Sequence, residues 1–195
     1  MLIVDTPLAT DRLFLRPFRL DDLDALHDLR TRPDVLRHLY WPPATVAQIR
    51  DVIGQRLTMT KLAADDDCLV LAVELRDTGR MVGEVDLRLS SVEHRHAELG
   101  VILHPDVQGR GLAAEAASAL LDLAFIRMGL HRVTAQTNAR NSASIRALRK
   151  LGMSQEGHLR ECVHFAGEWH DELIFAILAP EWTSGTGSKG IQVDH

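Results

Sequence analysis

The stretch from His104 to Ala113, His-Pro-Asp-Val-Gln-Gly-Arg-Gly-Leu-Ala, constrains the fold more than any other part of the chain. An apolar, strand-like run ends at His104, a pair of glycines follows, and a helical pattern rich in alanine and leucine begins directly after them. Glycine allows a tight turn and lets a ligand approach the backbone amides without a Cβ in the way. Free N–H groups and the helix dipole at such a helix start favour a diphosphate, and Arg110 can add a charge-assisted contact.

Three interpretations of this turn compete. The first is an ordinary strand-to-helix connection. The second is a dinucleotide-binding fold, because Gly109 to Ala114 matches G-x-G-x-x-A. That fold places its glycines after the first strand and an acidic residue about 20 residues further on, whereas the next predicted strand here ends in Gln136-Thr137-Asn138. The third is a turn that binds the diphosphate of coenzyme A. A Walker loop is excluded because no Gly-Lys-Ser/Thr is present.

The remaining patterns predict a mixed α/β sheet with helices packed on it, in the order β-α-α-β-β-β-α-β-α-β-β. The predicted strands are 11–18, 68–75, 81–89, 97–103, 132–137, 153–165 and 168–178, and the predicted helices are 21–30, 45–57, 112–128 and 141–151. We expect one domain over residues 1–182. Residues 183–195, rich in Ser, Gly and Thr, are predicted to form a flexible tail.

Charge and cysteine content narrow the functional classes. A net charge of -5 argues against general nucleic-acid binding, and no apolar stretch is long enough to span a bilayer. Cys68 and Cys162 both lie in apolar runs, where we expect them to pack as small hydrophobes in a reducing, cytoplasmic location. His94 and His96 lack further ligands, so no metal is predicted. The oligomeric state stays open, with a homodimer among the options.

Four blocks of the chain resemble the RimJ/RimL-type branch of the GNAT N-acetyltransferases. Gln108-Gly-Arg-Gly-Leu-Ala113 resembles the family signature Q/R-x-x-G-x-G/A. The run Asn138-Ala-Arg-Asn141-Ser-Ala-Ser144, followed by Leu148 and Leu151-Gly152-Met153, resembles N-x-x-N-x-x-S…L-x-x-L-G-F/M, and the blocks Thr10–Pro17 and Gly167–Asp171 are also similar. The resemblance implies the GNAT fold, a mixed, mostly antiparallel central sheet of about seven strands with helices on both faces.

The resemblance also implies a reaction. An acetyl group moves from acetyl-CoA to a primary amine, on a protein N-terminus or a small molecule, by direct attack in a ternary complex. In this family the pantetheine arm pairs with the strand before the glycine turn, where an N–H polarises the thioester carbonyl. The residues that the resemblance assigns to the cofactor are Val101, Ile102, Leu103, Gln108, Gly109, Arg110, Gly111, Leu112, Ala113, Ala114, Asn138, Asn141 and Ser144. A non-catalytic acyl-CoA-binding domain is the alternative, and a nicotinamide-dependent oxidoreductase is a third hypothesis.

Glu98 and Ser144 are the candidate catalytic residues. Some relatives carry a glutamate where this chain has Gln136, and ribosomal-protein members carry one where it has Val163. Glu98, on the strand that carries the thioester, therefore remains the candidate base, with a solvent-facing strand acid as the competing interpretation. His104 and His164 are second choices. Ser144 would protonate the leaving thiolate.

Simpler structural roles compete for several of these residues. Asn141 also fits a helix N-cap, and Ser144 a first-turn helix position. Tyr40 and Trp41 precede Pro42-Pro43 in a region that commonly lines the acceptor groove in this fold, with ordinary packing as the competing role.

Overall fold

The structure of the chain, a computed structural model, describes residues 1–185 and side chains through residue 182. The strands are β1 (Leu2–Ile3), β2 (Leu8–Ala9), β3 (Leu13–Arg16), β4 (Lys61–Leu62), β5 (Cys68–Leu75), β6 (Met81–Ser91), β7 (His96–Leu103), β8 (Arg132–Asn138), β9 (Ser154–Phe165) and β10 (Glu168–Leu178). The helices are α1 (Leu23–Thr31), α2 (Pro33–Leu36), α3 (Val46–Arg56), α4 (Leu112–Asp122), α5 (Ser142–Lys150) and α6 (Ala179–Gly185).

The central sheet has eight strands in the order β2-β3-β5-β6-β7-β8-β10-β9, and β1 pairs separately with β4. Neighbouring strands are antiparallel except β7 and β8, which run parallel. The predicted mixed, mostly antiparallel sheet is therefore confirmed. The additional strand is β2, a two-residue edge strand that is too short to produce a periodic pattern.

Helices cover both faces of this sheet because its strands carry apolar residues on both sides. In β5, Leu69, Leu71 and Val73 belong to the core that includes α4 and α5. Val70 and Ala72, the residues between them, face the second core with α1 and α3. Such two-sided burial explains why β5 reads as a continuous apolar run rather than an alternating one. Within residues 1–185, none of the helices combines the length and apolar character needed to cross a bilayer.

Glu84 of β6 holds the second helical layer onto the sheet. Its side chain is almost fully buried and accepts a hydrogen bond from Arg30 of α1 at 2.7 Å. Arg56 of α3 approaches the other carboxylate oxygen at 3.3 Å, as an ion pair without hydrogen-bond alignment. A buried acid shared by two arginines fixes where both helices lie over the sheet.

The helices differ from the sequence predictions in several places: the predicted helix 112–128 is α4 followed by a π-helical turn, Leu123–Arg127. Pro33 follows α1 and starts a short helix, α2, that the sequence did not predict; its missing N–H costs nothing there. The tail was expected from residue 183, yet residues 183–185 belong to α6. The buried Trp182 anchors this helix by donating its indole N–H to Asp122 at 2.8 Å. The rest of the predicted tail, residues 186–195, lies outside the described residues.

Candidate active site

The two parallel strands at the centre of the sheet separate part of the way along their length. β7 and β8 are paired only from His96 opposite Arg132 to Glu98 opposite Thr134. Beyond this point β7 continues to Leu103 against β6, while β8 continues to Asn138 against β10. The result is a cleft with Glu98 and Thr134 at its vertex. Two facing strand edges with free backbone groups can pair with an extended ligand.

The direction of the backbone groups on β7 follows from one hydrogen bond at its end. His104 N donates to Val82 O at 2.8 Å, towards β6. Because alternate residues of an antiparallel pair face the partner, the N–H and C=O groups of Leu103 and Val101 point the other way, into the cleft. The Leu103 carbonyl accepts from the Gln108 side-chain amide at 2.9 Å. Val101 therefore offers both of its backbone groups to a ligand in the middle of the cleft.

The glycine turn lies at the open end of this cleft and starts α4. Gly109 has φ 75° and Gly111 has φ 81°, a region that side chains with a Cβ rarely adopt. Gly111 is the N-cap of α4, so the N–H groups of its first turn lack partners within the helix. Leu112 is 1% exposed and anchors this turn in the core. Its contribution to a ligand site is therefore limited to its backbone.

Two cations that the sequence prediction missed lie beside this turn. A Cβ on Gly111 would lie 3.8 Å from both Arg12 Nη2 and Lys150 Nζ. Glu115 holds Arg12 in place by accepting from its Nε at 2.7 Å, and Arg12 Nη1 donates to the Arg110 carbonyl at 3.0 Å. No described residue pairs with Lys150. The residues lining the cavity of about 270 Å³ at this point are Arg12, Gly111, Ala114, Glu115, Ser118, Lys150, Leu151 and Trp182.

The opposite wall of the cleft contains the asparagines of the second sequence block. Asn141 Oδ1 accepts from Ser144 N at 3.1 Å, so Asn141 is the N-cap of α5 and Ser144 a first-turn residue. Asn138 is 2% exposed and donates from its side chain to the Tyr40 hydroxyl oxygen at 2.9 Å. Its Oδ1 accepts from Arg140 N at 2.7 Å. The simpler structural roles of Asn141 and Ser144 are thus present in the fold, and any ligand contacts would be additional.

Tyr40 and Trp41 have different surroundings although they are neighbours in sequence. Tyr40 has a positive φ of 56°, and its ring lies 5.2 Å from that of His170. Burial raises the pKa of its hydroxyl, and the bond to Asn138 places it at the wall of the cleft. Trp41 instead packs under the Arg30 guanidinium at 4.2 Å. Tyr40 is therefore the better candidate for contact with an acceptor, whereas Trp41 packs on the helical layer.

Besides Glu84, three further carboxylates of the central strands project from the face of the sheet that α1 and α3 cover. Directly opposed strand residues share a face, which places Glu98, Asp86 and Glu172 on the same side. Glu98 accepts from Arg88 Nη2 at 2.7 Å. Burial raises the pKa of Glu172, and the negative charge of Glu98 raises it further. The sequence prediction singled out Glu98 but not Asp86 or Glu172, because only the strand register brings the three acids together.

The other candidate bases and nucleophiles have structural surroundings. His104 is 4% exposed; its Nε2 lies 2.9 Å from Asp28, and its Nδ1 accepts from Asp106 N. His164 is exposed, and its ring centroid lies 4.8 Å from that of Trp169 with the two rings tilted by 44°. Burial raises the pKa of the Cys68 thiol to about 11, which keeps it protonated at neutral pH.

Within the described residues, Cys162 and the pair His94 and His96 also lack the surroundings of a catalytic or metal site. The prediction that both cysteines pack inside was wrong for Cys162, which is exposed because β9 is an edge strand of the sheet. The rings of His94 and His96 lie 6.0 Å apart. Among residues 1–185, no group of three or more His, Cys, Asp or Glu side chains is arranged to hold a metal ion.

Comparison with known proteins gives the family. Residues 12–154 match the model of the acetyltransferase (GNAT) domain. The uncharacterised N-acetyltransferase YnaD of Bacillus subtilis is 30% identical over 90% of this chain and 98% of its own length. The spermidine N(1)-acetyltransferase of Escherichia coli is 28% identical, covering 90% of this chain and 91% of that enzyme. A GNAT-family acetyltransferase structure from Bacillus anthracis superposes with a TM-score of 0.78, at 28% identity, over 90% of this chain and 99% of that one.

The chain therefore belongs to the GNAT acetyltransferase family. It has the fold of that family, and its relatives indicate an acetyltransferase enzyme.

Proposed function

We propose that this acetyltransferase binds acetyl-CoA with its pantetheine arm in the β7–β8 cleft and its diphosphate at the Gly109–Gly111 turn. The observation that carries the proposal is the loss of pairing between β7 and β8 beyond Glu98, since it opens a strand-shaped site that ends at a helix N-terminus. The surroundings fit the ligand: free amides at the turn suit the diphosphate, and Arg12 and Lys150 add positive charge on the same side.

Each predicted cofactor residue has a proposed part in this complex. The backbone of Val101 to Leu103 pairs with the pantetheine, and the amides of Gly109 to Ala114 bind the diphosphate with help from Arg110. Gln108 supports the turn through its bond to Leu103. Asn138 and Asn141 border the pantetheine from the β8 side.

We propose direct transfer to a primary amine without a covalent enzyme intermediate. The neutral amine nitrogen attacks the thioester carbonyl carbon, the C–N bond forms, and the C–S bond breaks to release coenzyme A thiolate. The Val101 N–H, which points into the cleft, stabilises the developing oxyanion. Ser144 supplies a proton to the departing thiolate and regains one from solvent, which also takes the surplus proton of the attacking nitrogen. The raised pKa of Cys68 argues against a cysteine nucleophile at this position.

The acceptor must lose a proton before it attacks. At pH 7 this costs roughly 1 kcal/mol for an α-amino group and roughly 4.6 kcal/mol for an amine with the pKa of lysine. A nearby carboxylate therefore matters most for aliphatic amines. The likeness to a spermidine N(1)-acetyltransferase makes polyamines the first small amines to test. The RimJ/RimL-like blocks make protein N-termini the second class of acceptor to test. A cytoplasmic location would supply both.

Thiol release tests the proposal. The purified chain is incubated with acetyl-CoA and one amine at a time: spermidine, spermine, free amino acids and short peptides with free N-termini. Coenzyme A should be released faster than in the reaction without amine. Mass spectrometry should find an acetylated amine in equal amount. Tight binding of acetyl-CoA with no turnover for any amine would instead favour a non-catalytic acyl-CoA-binding domain.

Replacing Lys150 with Ala should weaken acetyl-CoA binding about 5-fold at low salt, because one exposed cation near a phosphate contributes roughly 1 kcal/mol. The loss should shrink as salt rises. Calorimetric titration at two salt concentrations measures both effects. Arg149→Ala is the matched control, since this neighbouring cation is exposed but is not among the described residues lining the cavity. Equal losses of acetyl-CoA affinity in the two variants would contradict the placement of Lys150 at the diphosphate site.

A further inference from the structure

We propose that Asp86, a residue of β6, is the base that takes the proton from the acceptor amine. The inference rests on the proposed function, and it assigns to Asp86 the step for which the sequence favoured Glu98.

The carboxylate of Asp86 reaches across the neighbouring strand. Asp86 lies opposite Gly100 of β7, and a Cβ on Gly100 would meet Asp86 Oδ1 at 2.4 Å and Oδ2 at 2.9 Å. The absence of a side chain at Gly100 is what allows the carboxylate to lie over β7. This strand forms one edge of the cleft, and Gly100 immediately precedes Val101, whose N–H points into it. The carboxylate therefore lies beside the place where the amine must attack.

Among the described residues, Asp86 is also left without an arginine partner, as is Glu172, because the arginines nearest to Asp86 pair with other acids. Arg30 and Arg56 contact Glu84, and Arg88 donates to Glu98 at 2.7 Å. No described residue hydrogen-bonds to the Asp86 carboxylate. The charged and titratable groups around it are Glu84 and Arg88 on β6, Glu98 on β7, Cys68 on β5 and Arg56 on α3.

These surroundings suit proton transfer near neutral pH. Burial, with the negative charges of Glu84 and Glu98, raises the pKa of Asp86 to about 6 against the lowering effect of Arg56 and Arg88. A general base is most effective when its pKa lies near the working pH. Glu98, in contrast, is already engaged by Arg88 through one of its carboxylate oxygens.

The proposed step balances in charge and atoms. The ammonium form of the acceptor gives one proton to Asp86, directly or through one water, and becomes a neutral amine. Attack on the thioester then forms the C–N bond. The amide nitrogen loses its second proton to solvent as the C–S bond breaks and the thiolate is protonated. Asp86 returns its proton to solvent before the next turnover.

The test compares Asp86→Asn with Glu98→Gln across pH 5 to 9, using the amine that the wild type acetylates best. In the wild type, kcat/KM should rise with pH through a midpoint near 6. Asp86→Asn should lower kcat/KM at pH 7 by about 100-fold or more and remove this midpoint. The acetyl-CoA Kd should change less than about 3-fold, since this carboxylate is not near the turn. Glu98→Gln should keep the midpoint. A midpoint retained in Asp86→Asn and lost in Glu98→Gln would overturn the proposal.

Gly100→Ala gives an independent test if Asp86→Asn folds poorly. The added methyl group would displace the carboxylate, which is the flexible end of a side chain, so the strand should tolerate it. We expect the same fall in kcat/KM with unchanged acetyl-CoA affinity. Full activity in Gly100→Ala would contradict the assignment. Wild-type enzyme that acetylates no amine would overturn this inference together with the proposed function, whereas active wild type with active Asp86→Asn would overturn this inference alone.

Discussion

Gly111→Val should raise the Kd for acetyl-CoA by at least about 100-fold, or roughly 2.7 kcal/mol. A Cβ at this position points towards Arg12 Nη2 and Lys150 Nζ, both 3.8 Å away, and so into the space between the two cations and the helix N-terminus. That is the space we assign to the diphosphate. The two branches of valine would fill it and separate the phosphate oxygens from the amides that bind them. Isothermal titration measures the loss.

A second glycine separates this effect from backbone strain. Gly129 has φ 65°, close to the 81° of Gly111, but it lies beyond the other end of the helical segment that begins with α4, with nothing within 4 Å of a Cβ. A Cβ in the left-handed region costs roughly 1–2 kcal/mol, so both valine variants should lose similar stability. Only Gly111→Val should lose affinity. Near-normal acetyl-CoA binding by folded Gly111→Val would contradict the assignment of the turn.

Glu84→Ala should lower the free energy of unfolding by roughly 3–5 kcal/mol, the usual cost of leaving buried charges without a partner. Glu84 is 2% exposed and is shared by Arg30 and Arg56, whose guanidinium groups are themselves largely buried. Removing the carboxylate leaves two cations facing each other beneath α1 and α3. Urea denaturation followed by circular dichroism measures the change.

Glu93→Ala is the control for this measurement, because Glu93 is an exposed acid in the connection between β6 and β7. Its substitution should change stability by less than about 0.5 kcal/mol. A loss below about 1 kcal/mol for Glu84→Ala would mean that the arginines find other partners, and that the position of α1 and α3 does not depend on this network.

The features that could be predicted from sequence are local in the chain. The glycine turn, the helix after it and the cap at Asn141 each depend on residues a few positions apart, and all three are present in the structure. Long strands such as β5 were also predictable, because a short apolar run bounded by turn residues is typical of a buried strand. The two-residue strands and α2 were missed because such short segments carry no period.

The missed parts of the candidate site depend on tertiary contacts. Arg12, the residue before β3, and Lys150, the last residue of α5, both reach the glycine turn. Nothing in their local sequence distinguishes them from other surface cations. Asp86 looks like the outward residue of an alternating strand. Its surroundings follow from the register that places it opposite Gly100 and from the helices that cover that face of the sheet.

A crystal structure of the chain soaked with coenzyme A tests the central claim most directly. The account predicts diphosphate oxygens within hydrogen-bond distance of amides between Gly109 and Ala114, with the pantetheine lying along Val101 on the edge of β7. Density for the ligand in another crevice, with the turn empty, would contradict it.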